Sequence, residues 1–469
     1  MEPSFNHTVL SRLPLAEAVL TAWLWITEKS HLDSLFRNHR GRCYEDKISF
    51  ALIVHLIADA LLQHSGSGRK SFTRSREQGE LEASIQAAYQ KLARLPLPLS
   101  EAFLTESTQR LIEVAPIKAT ACDTIPRSLR AFVPITLDGK AVKKVPKRLK
   151  PLRQTPGGVL GGKALVALDM SRGLAVAMAT DPDGETNDAK LVPRLVPQVQ
   201  KLYEDEVLLW LGDRQFCDLN QTEQFVMGGN HFVVRYHSKV GFHRDAKRRV
   251  HTGKDKQGRT WHEEWGWLGS ETHPKRRYVR RITLERSGEE PIILVTDLLA
   301  RKKYPANDLL TLYLLRWGIE RVFQKITEVF NLDHLIGTTP EGTLFQLAFC
   351  LLIYNVIEVV RGYIAVAEER EPETISLELL FDDVQRELVA LHEVLTVEEI
   401  TELFEGVPTA ESVGKQLTKL LSNVWTERWI KAPNRKRQPP PKKRKRQHTS
   451  VYRLLNQHRQ KQLKAKLTG

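Results

Sequence analysis

Three carboxylates stand where they could do chemistry together. Asp138 follows the apolar run FVPITL (132–137) and precedes Gly139, while Asp213 follows VLLWL (207–211) and Gly212. Glu320 lies in YLLRWGIERVFQKITEVF, which begins at Tyr313. Tyr313, Arg316 and Glu320 fall at i, i+3 and i+7, which predicts one helix over 307–330 with all three on one face. Leu314, Leu315, Ile319, Val322 and Ile326 offer that helix a packing surface. A carboxylate on a packing helix is costly unless it is paired. If the strands before Asp138 and Asp213 are neighbours, their ends open at one sheet edge and the aspartates converge. Converging carboxylates repel and need a cation, and oxygen ligands suit Mg²⁺ or Mn²⁺. Two such ions can activate the attacking oxygen and stabilise the leaving one in phosphoryl transfer. Plainer readings stand beside this one: an Asp at a strand end is a common turn former, and Arg316 with Glu320 makes an ordinary ion pair on a solvated face.

The elements that must position these residues follow from the hydrophobic pattern. Residues 1–127 read as a helical N-terminal DNA-binding or assembly region, with a helix at Ala51–Leu62, a basic break at Ser65–Lys70, and a helix at Glu80–Leu95 ended by Pro96 and Pro98. Strands are expected at 132–137, 163–170 and 174–179, then a helix near 189–203, a strand at 207–211, a short helix at 220–226 and a strand at 231–236. That order predicts an α/β fold: a ribonuclease-H-like mixed sheet with flanking helices. Residues 128–240 would form the first part of this catalytic domain and 303–367 the second. Between them, 241–302 read as a β-rich insertion with strands at 260–268, 277–285 and 291–296. Leu344–Val360 is the most apolar stretch; it holds Gln346, Asn355 and Glu358 and reads as a buried helix rather than a membrane span. Residues 368–430 read as a helical C-terminal region, and 431–469 as a basic tail.

Taken together, these residues resemble the DDE transposases of bacterial insertion sequences, in particular the IS-four family. The resemblance rests on TLDGK (136–140), LGDRQF (211–216) and YLLRWGIE (313–320), in that order, and covers about residues 130–360. It implies a cut-and-paste DNA transposase in which Asp138, Asp213 and Glu320 hold two Mg²⁺ or Mn²⁺ ions. Hydrolysis at the element's ends would leave a 3′-hydroxyl that attacks the opposite strand or target DNA. Arg316 and Tyr313 would contact the phosphate backbone, and the partners would be double-stranded DNA and a second copy of the chain. The family has a Lys seven residues after its Glu, a DNA contact. Here that position is Thr327; Lys325 is nearby but points to another side of the helix, so it is only a candidate DNA contact.

Charge agrees with a nucleic-acid partner. The formal net charge is +14, and residues 431–469 hold 14 Lys or Arg and no Asp or Glu, so the remaining 70 − 14 = 56 basic residues match the 56 acidic ones. A chain end this basic attracts polyanions, although a merely solubilising tail has the same composition. Trp261, Trp265 and Trp267 share one face of a strand. Trp265 could stack on a flipped base, or the three could form a small core. The loop Asp181–Asp188 lacks Ca²⁺-loop spacing and reads as incidental, Asp169 as a turn residue, and Asp297 as a helix cap. Histidines 231, 237, 243 and 251 have no zinc spacing, and the four cysteines (43, 122, 217, 350) form no CxxC pair. No signal peptide is read at the first residues, so a bacterial cytoplasmic, nucleoid-associated location is expected, with no membrane partner. Two other functions remain open: a nuclease on the same fold that cuts without joining, and a DNA-binding regulator derived from a transposase.

Overall fold

The computed structural model describes residues 5–116, 124–404, 409–431 and 448–467. Cys122 and the basic run Lys442–Arg446 lie outside the described residues. The N-terminal helices are α1 (Phe5–Leu10), α2 (Pro14–Ile26), α3 (Lys29–His39), α4 (Phe50–Leu62), α5 (Gly68–Glu77), α6 (Ile85–Leu92) and α7 (Leu97–Glu113). Serine caps explain several starts: Ser49, Ser67 and Ser84 each accept the backbone N–H three residues on. The segment expected as a break therefore begins a helix at Gly68. Pro98 opens α7 rather than ending its predecessor, since proline costs nothing in a helix's first turn.

The sheet begins with β1 (Val133–Ala141), β3 (Lys163–Asp169) and β4 (Leu174–Asp181); β2 (Gly158–Leu160) stands apart from it. After α8 (Val192–Leu202) come β5 (Leu208–Gly212), α9 (Leu219–Val226) and β6 (His231–Arg235). The spatial order β4-β3-β1-β5-β6, with β3 antiparallel and β5 parallel to β1, and β6 parallel to β5, is the ribonuclease-H-like arrangement. β7 (Phe242–Arg244), β8 (His251–Lys254), β9 (Thr260–Leu268), β10 (Arg277–Leu284) and β11 (Ile292–Thr296) do not make a sheet of their own. They continue the first one through β11 on β6, giving ten strands among the described residues. Asp297 does not cap a helix. It accepts from the Phe232 amide (2.9 Å) and meets His231 Nδ1 (2.6 Å), stapling β6 to the end of β11.

The two faces of the sheet carry two cores. Ile135, Leu137, Trp210 and Phe232 belong to the larger core, where Trp210 stacks on Phe225 of α9, while Leu209, Leu211, Val233, Ile282 and Leu294 belong to the smaller one. Helices α10 (Ala306–Leu315), α11 (Gly318–Glu328) and α12 (Pro340–Ala367) follow, and then α13 (Leu377–Val394), α14 (Val397–Leu403) and α15 (Ala410–Leu421). The chain closes with β12 (His448–Ser450) and α16 (Val451–Leu467).

Helix α12 is the centre of the larger core. At 28 residues it begins earlier than its apolar run suggests and is long enough to cross a membrane, yet its apolar stretch is wholly buried inside the protein. Phe345 and Phe349 meet Phe103 of α7, and Phe345 also meets Phe50 of α4. The polar residues of α12 have structural work. Asn355 accepts the Ala175 N–H (2.9 Å) and donates to Ala175 O (2.8 Å) and Thr108 Oγ1 (2.9 Å). It thereby covers the exposed edge of β4, whose unpaired backbone groups would otherwise be buried without partners. At the other end of β4, Glu101 of α7 accepts from Thr180 N and Oγ1 (2.7 Å each) and from Arg194 (2.6 Å). Replacing Asn355 by Leu is expected to cost about 3 kcal/mol, since it strands the buried Ala175 N–H and leaves the Ala175 C=O only a long bond from Thr108 Oγ1 (3.4 Å). Urea unfolding measures this, and a loss below about 1 kcal/mol would show that the edge is not held by Asn355.

Candidate active site

Strands β1 and β5 run parallel with Val133 opposite Leu208 and Thr136 opposite Leu211, an offset of 208 − 133 = 75. The same offset carried two residues further sets Asp138 level with Asp213. Thr136 and Leu211 point to the face that holds the smaller core, and residues two further along project the same way. β1 does not end at Asp138. It continues along β3 to Ala141, so Asp138 sits inside a strand at the point where its other neighbour has left, which is not a turn position. Asp213 does cap: its Oδ1 accepts from Gln215 N (2.9 Å) at the start of a short 3₁₀ turn. Asp138 Oδ1 accepts from Gly139 N (2.9 Å). Among the described residues the second oxygen of each has no hydrogen-bond partner.

Burial and neighbouring charges act on both aspartates. Burial above all pushes Asp138 up to about 6; the Gly139 amide and Arg316 hold it down, and the charges of Asp213 and Glu320 raise it further. Asp213 is also raised, first by burial and then by Asp188, against the Gln215 amide and the cations Arg316 and Arg235. Arg316 is thus the counter-charge common to both aspartates. It is nearly buried, leans over the Tyr313 and Trp317 rings (5.6 and 6.0 Å), and reaches Glu320 at 3.6 Å.

The expected continuous helix is broken here. α10 ends at Leu315 and α11 starts at Gly318, with Arg316 and Trp317 in the turn between. The physical reason is packing. Leu309, Leu312 and Tyr313 belong to the smaller core, whereas Ile319, Val322, Phe323 and Ile326 belong to the larger one. A straight helix cannot serve both, and Gly318 is a weak helix former at the joint. Tyr313, Arg316 and Glu320 therefore do not share a helical face; the bend brings Arg316 inward and leaves Glu320 two-fifths exposed.

Other predicted residues are placed elsewhere. Lys325 points to α13, 3.6 Å from Glu378, away from the aspartates. Trp265 is 2% exposed, donates to Leu299 O (3.1 Å) and meets His251 edge-on, so it fills the sheet's interior and offers no ring to a base. Trp267, 38% exposed, is the open one of the three tryptophans. Thr327 Oγ1 accepts from the Lys140 ammonium (2.9 Å), whose pKa burial first and Lys143 second lower to about 8.

Asp188, read as incidental from the acidic loop, belongs to this site. Its carboxylate pairs with Lys163 (2.7 Å), accepts from Gln215 Nε2 (2.7 Å), and lies over Gly139 so closely that a Cβ there would stand 2.1 Å from it. Gln215 thus ties the turn of Asp213 to the loop beside Asp138. No sequence spacing signals this, because the contact crosses from a loop to two strands. The rest of that loop holds the C-terminal segment: Arg453 pairs with Asp183 (2.8 Å) and Glu185 (2.5 Å), and β12 lies parallel to β2.

Among the described residues, no three His, Cys, Asp or Glu side chains are grouped closely enough to hold a metal ion as they stand. The donor chemistry nevertheless fits a hard divalent cation: two half-buried carboxylates at one register, each with a spare oxygen and each destabilised as an anion. Glu320 would complete the set by turning from Arg316.

The strand order is that of a ribonuclease-H-like fold. More particularly, residues 136–356 match the family model of the transposase DDE domain, a segment that contains Asp138, Asp213 and Glu320. No curated protein matches the chain. Among solved structures it is similar to a piggyBac transposase in a synaptic complex with hairpin DNA, at 10% identity over 90% of this chain and 87% of that one. The TM-score is 0.37, too loose a superposition to carry an argument.

The crowding at Gly139 is testable. Gly139→Ala should destabilise the protein by about 2 kcal/mol through overpacking against Asp188. In a background of Asp188→Ala the same change should cost much less, because the obstructing carboxylate is gone. Additive costs in urea unfolding would mean that the two residues are not in contact.

Proposed function

We propose that the chain is a cut-and-paste DNA transposase of the insertion-sequence type, similar to the IS-four family. The observation that carries the reading is the common register of Asp138 and Asp213 on parallel neighbours, with Arg316 and Glu320 within electrostatic reach, inside the segment matched by the transposase DDE domain. Asp138, Asp213 and Glu320 would hold Mg²⁺ or Mn²⁺, two ions per site, whose chemistry when bound is Lewis-acid activation of the attacking and leaving oxygens.

The chain's own residues do the rest. Gly139 N–H and Gln215 N–H each fix one carboxylate oxygen and leave the other for ligation. Arg316, held over Tyr313, supplies a positive charge that moderates the repulsion of the acids and can engage a phosphate beside them. Tyr313 is buried and serves by supporting that guanidinium. The substrates would be the double-stranded ends of the element and a target duplex, cut to give a 3′-hydroxyl that is then joined. The basic tail would add sequence-independent affinity for phosphates. A homodimer would hold paired ends, with the N-terminal helices as an assembly or DNA-binding region.

The test mixes purified protein with linear DNA carrying the gene's own flanks, with Mg²⁺, with Mn²⁺ and with chelator. Metal-dependent cutting at defined ends and joining to a plasmid are expected, and Asp213→Asn or Glu320→Ala should each lower the rate by about 10³-fold, the size of several kcal/mol of lost charge stabilisation. Circular dichroism checks that the variants fold. A folded Asp213→Asn that cuts at full rate would remove Asp213 from the mechanism. Cutting without joining would favour the nuclease, and binding without cutting the regulator.

A further inference from the structure

A cavity of about 630 Å³ opens beside the end of β1, lined by Lys140, Lys143, Lys144 and His448, with Thr327 and Asp333 also in its wall. Its charge is one-sided. The one carboxylate, Asp333, is engaged by Lys144 at 3.0 Å. Lys140 gives its hydrogen bonds to neutral oxygens, Phe323 O (3.2 Å) and Thr327 Oγ1 (2.9 Å). Lys143 is exposed at the rim. Among the described residues neither Lys140 nor Lys143 has a carboxylate within ion-pair distance. A half-buried ammonium held by a helix carbonyl and a hydroxyl, with Asp138 and Glu328 acting on it only from beyond ion-pair distance, is a positioned cation that can receive an anion.

Two further observations say which anion. Lys140 lies two residues beyond Asp138 on the same strand, so both project from the same face, roughly 7 Å apart along the strand. The opposite wall is built by the C-terminal segment. His448 begins β12, which pairs with β2, and Arg453 clamps the segment to Asp183 and Glu185. From there α16 runs on with Arg459, Lys461, Lys464 and Lys466 exposed and no acidic residue. The segment that supplies His448 to the cavity wall thus carries further exposed basic residues, and a polyanionic strand can engage both, which a small ligand would not.

We propose that this cavity binds a backbone phosphate of the DNA strand lying next to the one at Asp138, with Lys140 and Lys143 as its ligands and the docked C-terminal segment as its wall. This rests on the nucleic-acid reading given above. Full-length protein is titrated with a fluorescein-labelled linear duplex carrying the gene's flanks, in chelator to prevent cutting, over a range of KCl. K140M and K143M should each reduce the slope of log K against log salt by about one and weaken binding several-fold, while K140R retains both. K143M alters an exposed side chain and carries the test if K140M does not fold. A wild-type chain that binds while both variants keep its slope overturns this site alone. A wild-type chain that binds no duplex overturns the nucleic-acid reading and this site with it.

Discussion

Two like charges held at one level on adjacent strands repel each other, and the rest of the site answers that constraint. The cost is incurred by backbone pairing, because the β1–β5 register sets the positions of Asp138 and Asp213 before any side chain is chosen. A slip of one residue would send one of them to the opposite face. Backbone amides beside each aspartate and the shared guanidinium of Arg316 offset part of the cost, and both carboxyl pKa values stay raised, first by burial and then by neighbouring carboxylates.

The register is in turn protected by the cores on both faces. α12 fills the larger core and, through Asn355, closes the β4 edge, so the antiparallel meander cannot shift outward. Asn230 does a similar service on the other side, accepting the Leu208 N–H at the start of β5 (2.7 Å). The N-terminal helices give their apolar faces to this body: Phe50 and Phe103 belong to the same aromatic cluster as Phe345 and Phe349. The segment matched by the family model is therefore supported by elements on either side of it in sequence.

The bend at Arg316 and Trp317 shows how packing and site chemistry are joined. By switching from one core to the other, the chain directs a guanidinium toward the aspartates while leaving Glu320 near the surface. The acidic loop shows the same economy: Asp188 braces the strand end, while Asp183 and Glu185 hold the C-terminal segment against the body.

Much of this was legible in one dimension. Apolar runs ending in Asp-Gly or Gly-Asp, their order along the chain, and the Tyr-Arg-Glu spacing marked the strands and the acids, since these are local signals of burial and turn chemistry. The uneven charge of the tail was a matter of counting. Contacts between distant residues were not legible: that Asp188 lies over Gly139, that Lys140 reaches Thr327, that Trp265 is interior, or that the predicted single helix must bend to serve two cores. Periodicity reports which side of an element is apolar, and says nothing of which neighbour that side will meet. The sequence by itself determined which residues could do chemistry and which elements carry them. Only the tertiary structure decided which of them meet, because register, helix breaks and loop docking are settled by packing between segments far apart in the chain.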